Sequence, residues 1–133
     1  MKEGAFITGM IAMQTACKAQ KRLDRKKLLD DCDGEAAFVN RCLQIFVRET
    51  QGDIDGISAA FQHNDLAQVS RLAHRIKGAS ATIRAAFLRD EAANLNVFAC
   101  EGREFEAAMC FARLRAEFDN FKKFVATLPR LAD

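Results

Sequence analysis

Residues 65–83 read DLAQVSRLAHRIKGASATI, and their apolar positions follow the period of an α-helix. At about 100° per residue, one group of residues falls on a single stripe, the buried face of an amphipathic helix: Val69, Leu72, Ala73, Ile76, Ser80 and Ile83. Asp65 stands where a helix N-cap is expected. We therefore predict a helix that begins after Asp65, runs to about Ile83 and buries one side in a core.

His74 projects away from that stripe, and its surroundings on the helix are small or cationic. The neighbours on its own side of the helix, one or two turns away, are all small: Ala67, Ser70, Gly78 and Ala81. Lys77 and Arg71, three residues to either side, lie roughly 60° from His74 around the helix. The sequence thus predicts an exposed imidazole on a bare strip between two cations.

Gly78 supports this interpretation, because a glycine inside a helix costs roughly 1 kcal/mol relative to alanine. Close approach of another molecule to the imidazole would explain the glycine, since a side chain at this position would obstruct it. The alternative is that Gly78 ends the helix, where glycine is common. The apolar register continues from Ala79 to Ile83, which favours the first explanation.

The pattern His74-x-x-Lys77-Gly78-x-Ser80-Ala81-x-Ile83 resembles the signature of the histidine phosphotransfer (HPt) domain. The context agrees, since Asn64-Asp65-Leu66 matches the turn before the histidine helix and residues 87–92 fit the helix after it. The resemblance covers roughly residues 24 to 127. In one position the chain departs from the family, because Arg84 stands where a glycine usually separates the histidine helix from the next. We expect Arg84 to lengthen that helix or to change the turn.

The resemblance implies a phosphorelay intermediate, in which His74 accepts a phosphoryl group from a receiver-domain aspartate and transfers it to another receiver. It implies that Lys77, with Arg71 or Arg75, stabilises the phosphoryl oxygens. The remaining predicted binding residues are Ser70, Gly78, Ser80 and Ala81. The partner receiver would supply the aspartate and Mg²⁺, so this chain itself needs no cofactor or metal. A hybrid sensor histidine kinase is the other expected partner, and the expected docking surface is an apolar patch beside His74 with a polar rim.

Composition limits the other possibilities. The chain has 133 residues, half of them hydrophobic, with one proline and neither tyrosine nor tryptophan, which favours a single helical domain. Five cysteines without a C-x-x-C pair indicate buried thiols in a reducing compartment, so we expect a cytoplasmic protein. No apolar run has the length of a membrane span, and residues 1–17 lack a convincing signal-peptide core.

Apolar periodicity predicts four long helices and at least one short one. Asp24 precedes a short helix over residues 25–30. Asp33 would cap a long helix that ends at the turn of residues 62–64, and its apolar stripe is Val39, Leu43, Phe46, Thr50, Ile54, Ile57 and Phe61. A helix from near Ala85 to Glu101 buries Leu88, Ala92, Leu95 and either Phe98 or Ala99. The last runs from about Arg103 to Leu128, and its apolar stripe is Phe111, Leu114, Phe118, Phe121, Val125 and Leu128. We predict an all-α fold, an antiparallel up-down four-helix bundle with one or two additional short N-terminal helices. The predicted domains are a 1–23 extension or extra helix and the 24–133 bundle, and we expect a monomer.

The sequence also bears on three other functions. A di-iron bundle requires Glu-x-x-His pairs, whereas neither of the two histidines, His63 and His74, has a glutamate three residues before it. Nucleic-acid binding is disfavoured, because the net charge is only +2 and no aromatic platform accompanies the cations. A non-phosphorylated HPt-like module that binds a receiver or a histidine kinase stays open. We expect His63 to be merely solvent-exposed in a turn.

Overall fold

The computed structural model describes residues 23–128, and the elements in this part of the chain are all helices. They are α1 (Arg25–Asp31), α2 (Ala36–Gln62), α3 (Leu66–Thr82), α4 (Ala86–Cys100) and α5 (Glu104–Ala126). Helices α2 to α5 form the predicted four-helix bundle, in which each helix packs on the next and α5 returns to α2. Helix α1 is the predicted short N-terminal helix. A second short helix lies outside the described residues, as does the predicted extension over residues 1–23 except for Leu23.

The predicted apolar stripes form the core of the bundle. Those of α3 and α5 are buried along their whole length, and that of α2 is buried from Val39 to Ile57, with Phe61 half-buried. In α4 the core position left open between Phe98 and Ala99 belongs to Ala99, which is 4% exposed. The rings of Phe46 and Phe121 form a T-shaped pair, with centroids 5.4 Å apart. Because these stripes fix which side of each helix faces inward, they also fix which side of α3 faces outward.

The four turns between helices share one hydrogen-bonding pattern. After α3, for example, the N–H of Arg84 donates to the carbonyl of Ala81, and that of Ala85 to the carbonyl of Ser80. This is the Schellman motif, which places one residue of the turn in the left-handed conformation. The residues that take this position have φ angles between 54° and 70°: Asp33, Asn64, Arg84 and Gly102.

The caps of α1 and α3 agree with the sequence, and that of α2 does not. Asp24 accepts a hydrogen bond from the N–H of Lys27, and Asp65 from that of Gln68. The prediction that Asp33 caps α2 is wrong, because Glu35 occupies the N-cap position and its side chain makes no capping hydrogen bond. Asp33 instead belongs to the Schellman turn that ends α1, in which the N–H of Gly34 donates to the carbonyl of Leu29.

Arg84 keeps the turn that we expected it to alter. Helix α3 ends at Thr82, and Arg84 takes the left-handed conformation itself, at φ 65°. For a residue with a Cβ this conformation costs roughly 1–2 kcal/mol. Part of the cost is offset by Asp31, whose carboxylate accepts from Arg84 Nε at 3.0 Å and from Nη2 at 3.4 Å.

The stability of two variants at this position separates backbone strain from the ion pair. We expect Arg84→Gly to be more stable than Arg84→Ala by about 1 kcal/mol, because both lose Asp31 and only glycine adopts the left-handed conformation freely. Urea unfolding followed by circular dichroism measures the difference. Equal midpoints for the two variants would show that the turn imposes no strain on residue 84.

Candidate functional site

His74 lies near the middle of α3, on the side that faces away from the core. Its side chain is exposed, whereas Ala73, the residue before it, and Ile76, two residues after it, have no exposed surface. The His74 side chain has no hydrogen bond or ion pair with another residue between 23 and 128. The bundle thus places the backbone of His74 in a packed helix and leaves its ring open to solvent.

The strip beside His74 is open, as the small side chains indicate. Gly78, Ala67 and Ala81 are all exposed. A Cβ atom built on Gly78 would have no neighbour within 4 Å, so packing inside the described part of the chain does not require a glycine here. The helix also continues for four residues beyond it, to Thr82, which excludes the explanation that Gly78 ends the helix.

Ser70 and Ser80, both predicted binding residues, have different environments. The hydroxyl of Ser70 donates to Asn96 Oδ1 at 2.6 Å and lies 3.0 Å from Cys100 Sγ, so it joins α3 to α4 beside the open strip. Ser80 has no exposed surface. This agrees with its position on the buried stripe, and a side chain enclosed in the core cannot contact a docked partner. A part for Ser80 in the binding site stays a prediction.

The cations around His74 differ in their partners. The guanidinium of Arg71 donates to the side-chain oxygen of Gln68, and Arg71 is exposed. Lys77 is half-buried, and within residues 23–128 no ion pair joins it or Arg71 to a carboxylate. Arg75 Nη2, by contrast, lies 3.5 Å from Asp53 Oδ1 of α2. The positive charge left to act on His74 is therefore mainly that of Lys77 and Arg71.

Asp53 is a site residue that sequence reasoning missed. Its side chain is only 14% exposed, and this burial raises the pKa of the Asp53 carboxyl, while the charge of Arg75 acts in the opposite direction. The sequence places no carboxylate between residues 66 and 89, but α2 brings one against α3. Only the packing of the two helices shows that the charge of Arg75 has a carboxylate partner.

A groove between α2 and α3 runs along the Arg75 side of α3. It encloses about 430 Å³, with Ile45, Phe46 and Ala79 among its apolar lining and Glu49, Asp53 and Arg75 among its charged lining. The two helices pack closely, since a Cβ atom on Gly56 would lie 2.8 Å from Leu72 Cδ1. An apolar surface with charged edges therefore adjoins His74 on one flank.

These features suit group transfer to an exposed nucleophile. A neutral imidazole is a good nucleophile near pH 7, and cations on the same side of the helix suit an anionic group. No group of three or more histidine, cysteine, aspartate and glutamate side chains between residues 23 and 128 is placed to hold a metal ion. The chain therefore offers a nucleophile and positive charge.

The comparisons with known proteins identify the family. The model of the Hpt domain matches residues 41–124, from the first turns of α2 to near the end of α5. The chain belongs to the Hpt domain family. The match includes His74, and the function of the family is histidine phosphotransfer in phosphorelays.

A solved structure confirms the fold of this Hpt domain. The histidine-containing phosphotransfer protein B (HptB) of Pseudomonas aeruginosa PAO1 superposes with a TM-score of 0.71 at 22% identity, covering 81% of this chain and 97% of that chain. At this identity the likeness concerns the fold alone. No curated protein matches the chain in sequence.

Membership of the family settles what class of protein this is. Hpt domains are phosphocarriers that interact with receiver domains and histidine kinases.

Of the two histidines, His63 lies in the exposed turn after α2, as predicted. No helix within residues 23–128 has the length and apolar character to cross a membrane.

Proposed function

We propose that His74 is the phosphoryl acceptor of this Hpt domain, which takes the group from an aspartyl phosphate of one receiver and passes it to the aspartate of another. The observation that carries the proposal is the exposure of His74 in the middle of a packed helix, on a strip of small residues. His63, the other histidine, lies in a turn with no such strip around it.

The transfer is a displacement at phosphorus. A neutral imidazole nitrogen of His74 attacks the phosphorus of the aspartyl phosphate, the N–P bond forms, and the P–O bond to the aspartate breaks. The aspartate leaves as a carboxylate, and the reverse sequence delivers the group to the second receiver. Positioning and charge stabilisation govern such reactions, and we assign the stabilisation on this side to Lys77 and Arg71.

We infer that the domain has no autonomous catalysis and that Mg²⁺ belongs to the receiver. In this proposal the domain contributes a nucleophile, two cations and a docking surface formed by the exposed strip and the α2–α3 groove. The binding residues besides these cations are Gly78 and Ala81 on the strip, with Arg75 and Ser70 at its two edges. A hybrid sensor kinase is the proposed upstream partner, and we propose that the domain acts as a monomer in the cytoplasm.

The chemical stability of the attached phosphoryl group tests this proposal. After incubation with a phosphorylated receiver, we expect the domain to carry a phosphoryl group that is labile in acid and stable in base, on the peptide that contains His74. Peptide mapping by mass spectrometry under alkaline conditions identifies the residue. A domain that binds the phosphorylated receiver and stays unlabelled would be an interaction module, and the proposal would fail.

Lys77→Ala is expected to slow phosphotransfer by roughly ten- to 100-fold, because a hydrogen bond to a charged group contributes roughly 1.5–3 kcal/mol and a factor of ten corresponds to about 1.4 kcal/mol. The affinity for the receiver should change little, since the charge acts on the moving group. Rapid-quench kinetics gives the rate, and titration calorimetry gives the dissociation constant. Lys123→Ala, an exposed lysine near the end of α5, is the matched control. If Lys77→Ala weakened binding and left the rate at saturation unchanged, Lys77 would be a docking residue instead.

A further inference from the structure

The α2–α3 groove extends beyond the immediate surroundings of His74. On α3 its lining runs from Arg75 to Ile83, about 12 Å along the helix axis at 1.5 Å per residue. On α2 the same flank carries two large apolar side chains in contact with solvent, Ile45 at 44% exposure and Phe38 at 53%. Two turns of helix separate them, so the described part of the chain leaves a long apolar surface uncovered.

The segment that precedes the described residues is attached at one end of this groove. Leu23 is buried at 8% exposure, and the N–H of Asp24 donates to the carbonyl of Arg84 at 3.2 Å. Arg84 directly follows Ile83, which lines the groove. The junction with residues 1–22 is therefore fixed beside Ile83, the groove residue that directly follows α3.

The sequence of residues 1–22 complements the groove. Phe6, Met10, Met13 and Cys17 recur at spacings of four, three and four, which is the period of one face of a helix. The segment also has four cations, Lys2, Lys18, Lys21 and Arg22, against the single acid Glu3. The groove has an apolar lining with two carboxylates, Glu49 and Asp53, and the one cation Arg75.

Length is no obstacle to this contact. A segment of 22 residues spans up to roughly 70 Å when extended and about 33 Å as a helix. Both exceed the length of the groove. Because the two are joined in one chain, binding is intramolecular and profits from an effective concentration that is typically in the millimolar range.

We propose that residues 1–22 dock into the α2–α3 groove of their own chain, with Phe6, Met10 and Met13 against the surface around Ile45 and Phe46. The groove adjoins Arg75, the residue next to His74, so the docked segment occupies part of the surface that a receiver needs. The segment then restrains phosphotransfer by competing with the receiver. This consequence rests on the proposed function of His74, whereas the docking itself does not.

Photo-cross-linking in the full chain tests the docking. Ile45→p-benzoylphenylalanine places a photoreactive group in the groove, and Phe105→p-benzoylphenylalanine places it on α5 at a side chain that is 72% exposed. After irradiation and tryptic digestion, we expect cross-links from position 45 to the peptide over residues 3–18, at the mass of one chain. Position 105 should give none.

Two variants of the segment make the test specific. Phe6→Asp combined with Met10→Asp should abolish the cross-link from position 45, and Thr8→Asp, off the apolar face, should preserve it. Circular dichroism checks that the bundle stays folded. Cross-links that appear only at the mass of two chains would assign the groove to a second copy, and cross-links that avoid residues 1–22 would show that the segment does not dock there; either result overturns the proposal.

Phosphotransfer supplies a separate readout. The Phe6→Asp, Met10→Asp variant should accept the phosphoryl group faster than the wild-type chain, because the receiver no longer displaces the segment. An unchanged rate together with a lost cross-link would overturn the competition. If the domain takes up no phosphoryl group at all, the proposed function of His74 fails, and the cross-linking result still decides whether the segment docks.

Discussion

His74→Gln is expected to abolish phosphorylation of the domain by a phosphorylated receiver. The amide of glutamine has no basic nitrogen with a free electron pair, so it cannot attack phosphorus at neutral pH. Because the side chain at this position is exposed and packs against nothing in the core, the free energy of unfolding should change by no more than about 0.5 kcal/mol. The label is followed by gel electrophoresis at alkaline pH, and thermal unfolding confirms that the fold is retained.

The second histidine provides the matched control for this experiment. His63 lies in the exposed turn that follows α2, and His63→Gln should be labelled as fast as the wild-type domain. Persistent labelling of His74→Gln, or loss of labelling in His63→Gln, would move the acceptor away from α3. Binding of the receiver should survive in both variants, which separates loss of the nucleophile from loss of docking.

The helices were predictable because burial has a period. The stripe of α5 from Phe111 to Leu128, at alternating steps of three and four, is buried as expected, and its period is that of a helix with one side in a core. Burial of these side chains dominates the free energy of folding. A sequence that repeats apolar residues at this spacing therefore specifies both the helix and its inner face.

The turns were harder to predict, because one side chain suits more than one position. Aspartate is favoured as an N-cap and also tolerates the left-handed conformation. Asp33 takes the second role, at φ 56°. Arg84 has no local preference for that conformation, and it adopts it because the ends of α3 and α4 are already fixed by their packing. The carboxylate of Asp31, distant in sequence, then supports the guanidinium.

In the candidate site, too, some residues were predictable from the sequence and others were not. His74, Lys77 and Gly78 lie on one helix, so the geometry of that helix brings them together and the sequence alone predicts their arrangement. Asp53, Asn96 and Cys100 reach the site from α2 and α4, and no periodicity within α3 signals them. Ser80 differs from both groups. It belongs to the motif on α3, but it lies on the side of the helix that faces the core, and the structure shows it fully buried.

Gly78→Leu is the second variant with a large expected effect, and its two readouts should move in opposite directions. Leucine has a higher helix propensity than glycine, by roughly 1 kcal/mol, and a Cβ at this position meets no neighbour within 4 Å. The variant should therefore fold and unfold at a higher urea concentration than the wild type. A leucine one turn from His74 would, however, hold the receiver away from the imidazole.

The expected loss in phosphotransfer rate is about 100-fold, since a displacement of about 1 Å in a reacting pair costs a factor of that order. Gly78→Ala should lie between the wild type and Gly78→Leu, because its methyl group is shorter. Ala116→Leu, at an exposed position on α5, controls for the addition of an apolar side chain and should transfer at the wild-type rate. If Gly78→Leu were more stable than the wild type and transferred the phosphoryl group equally fast, close contact with the receiver would not be the reason for a glycine at position 78.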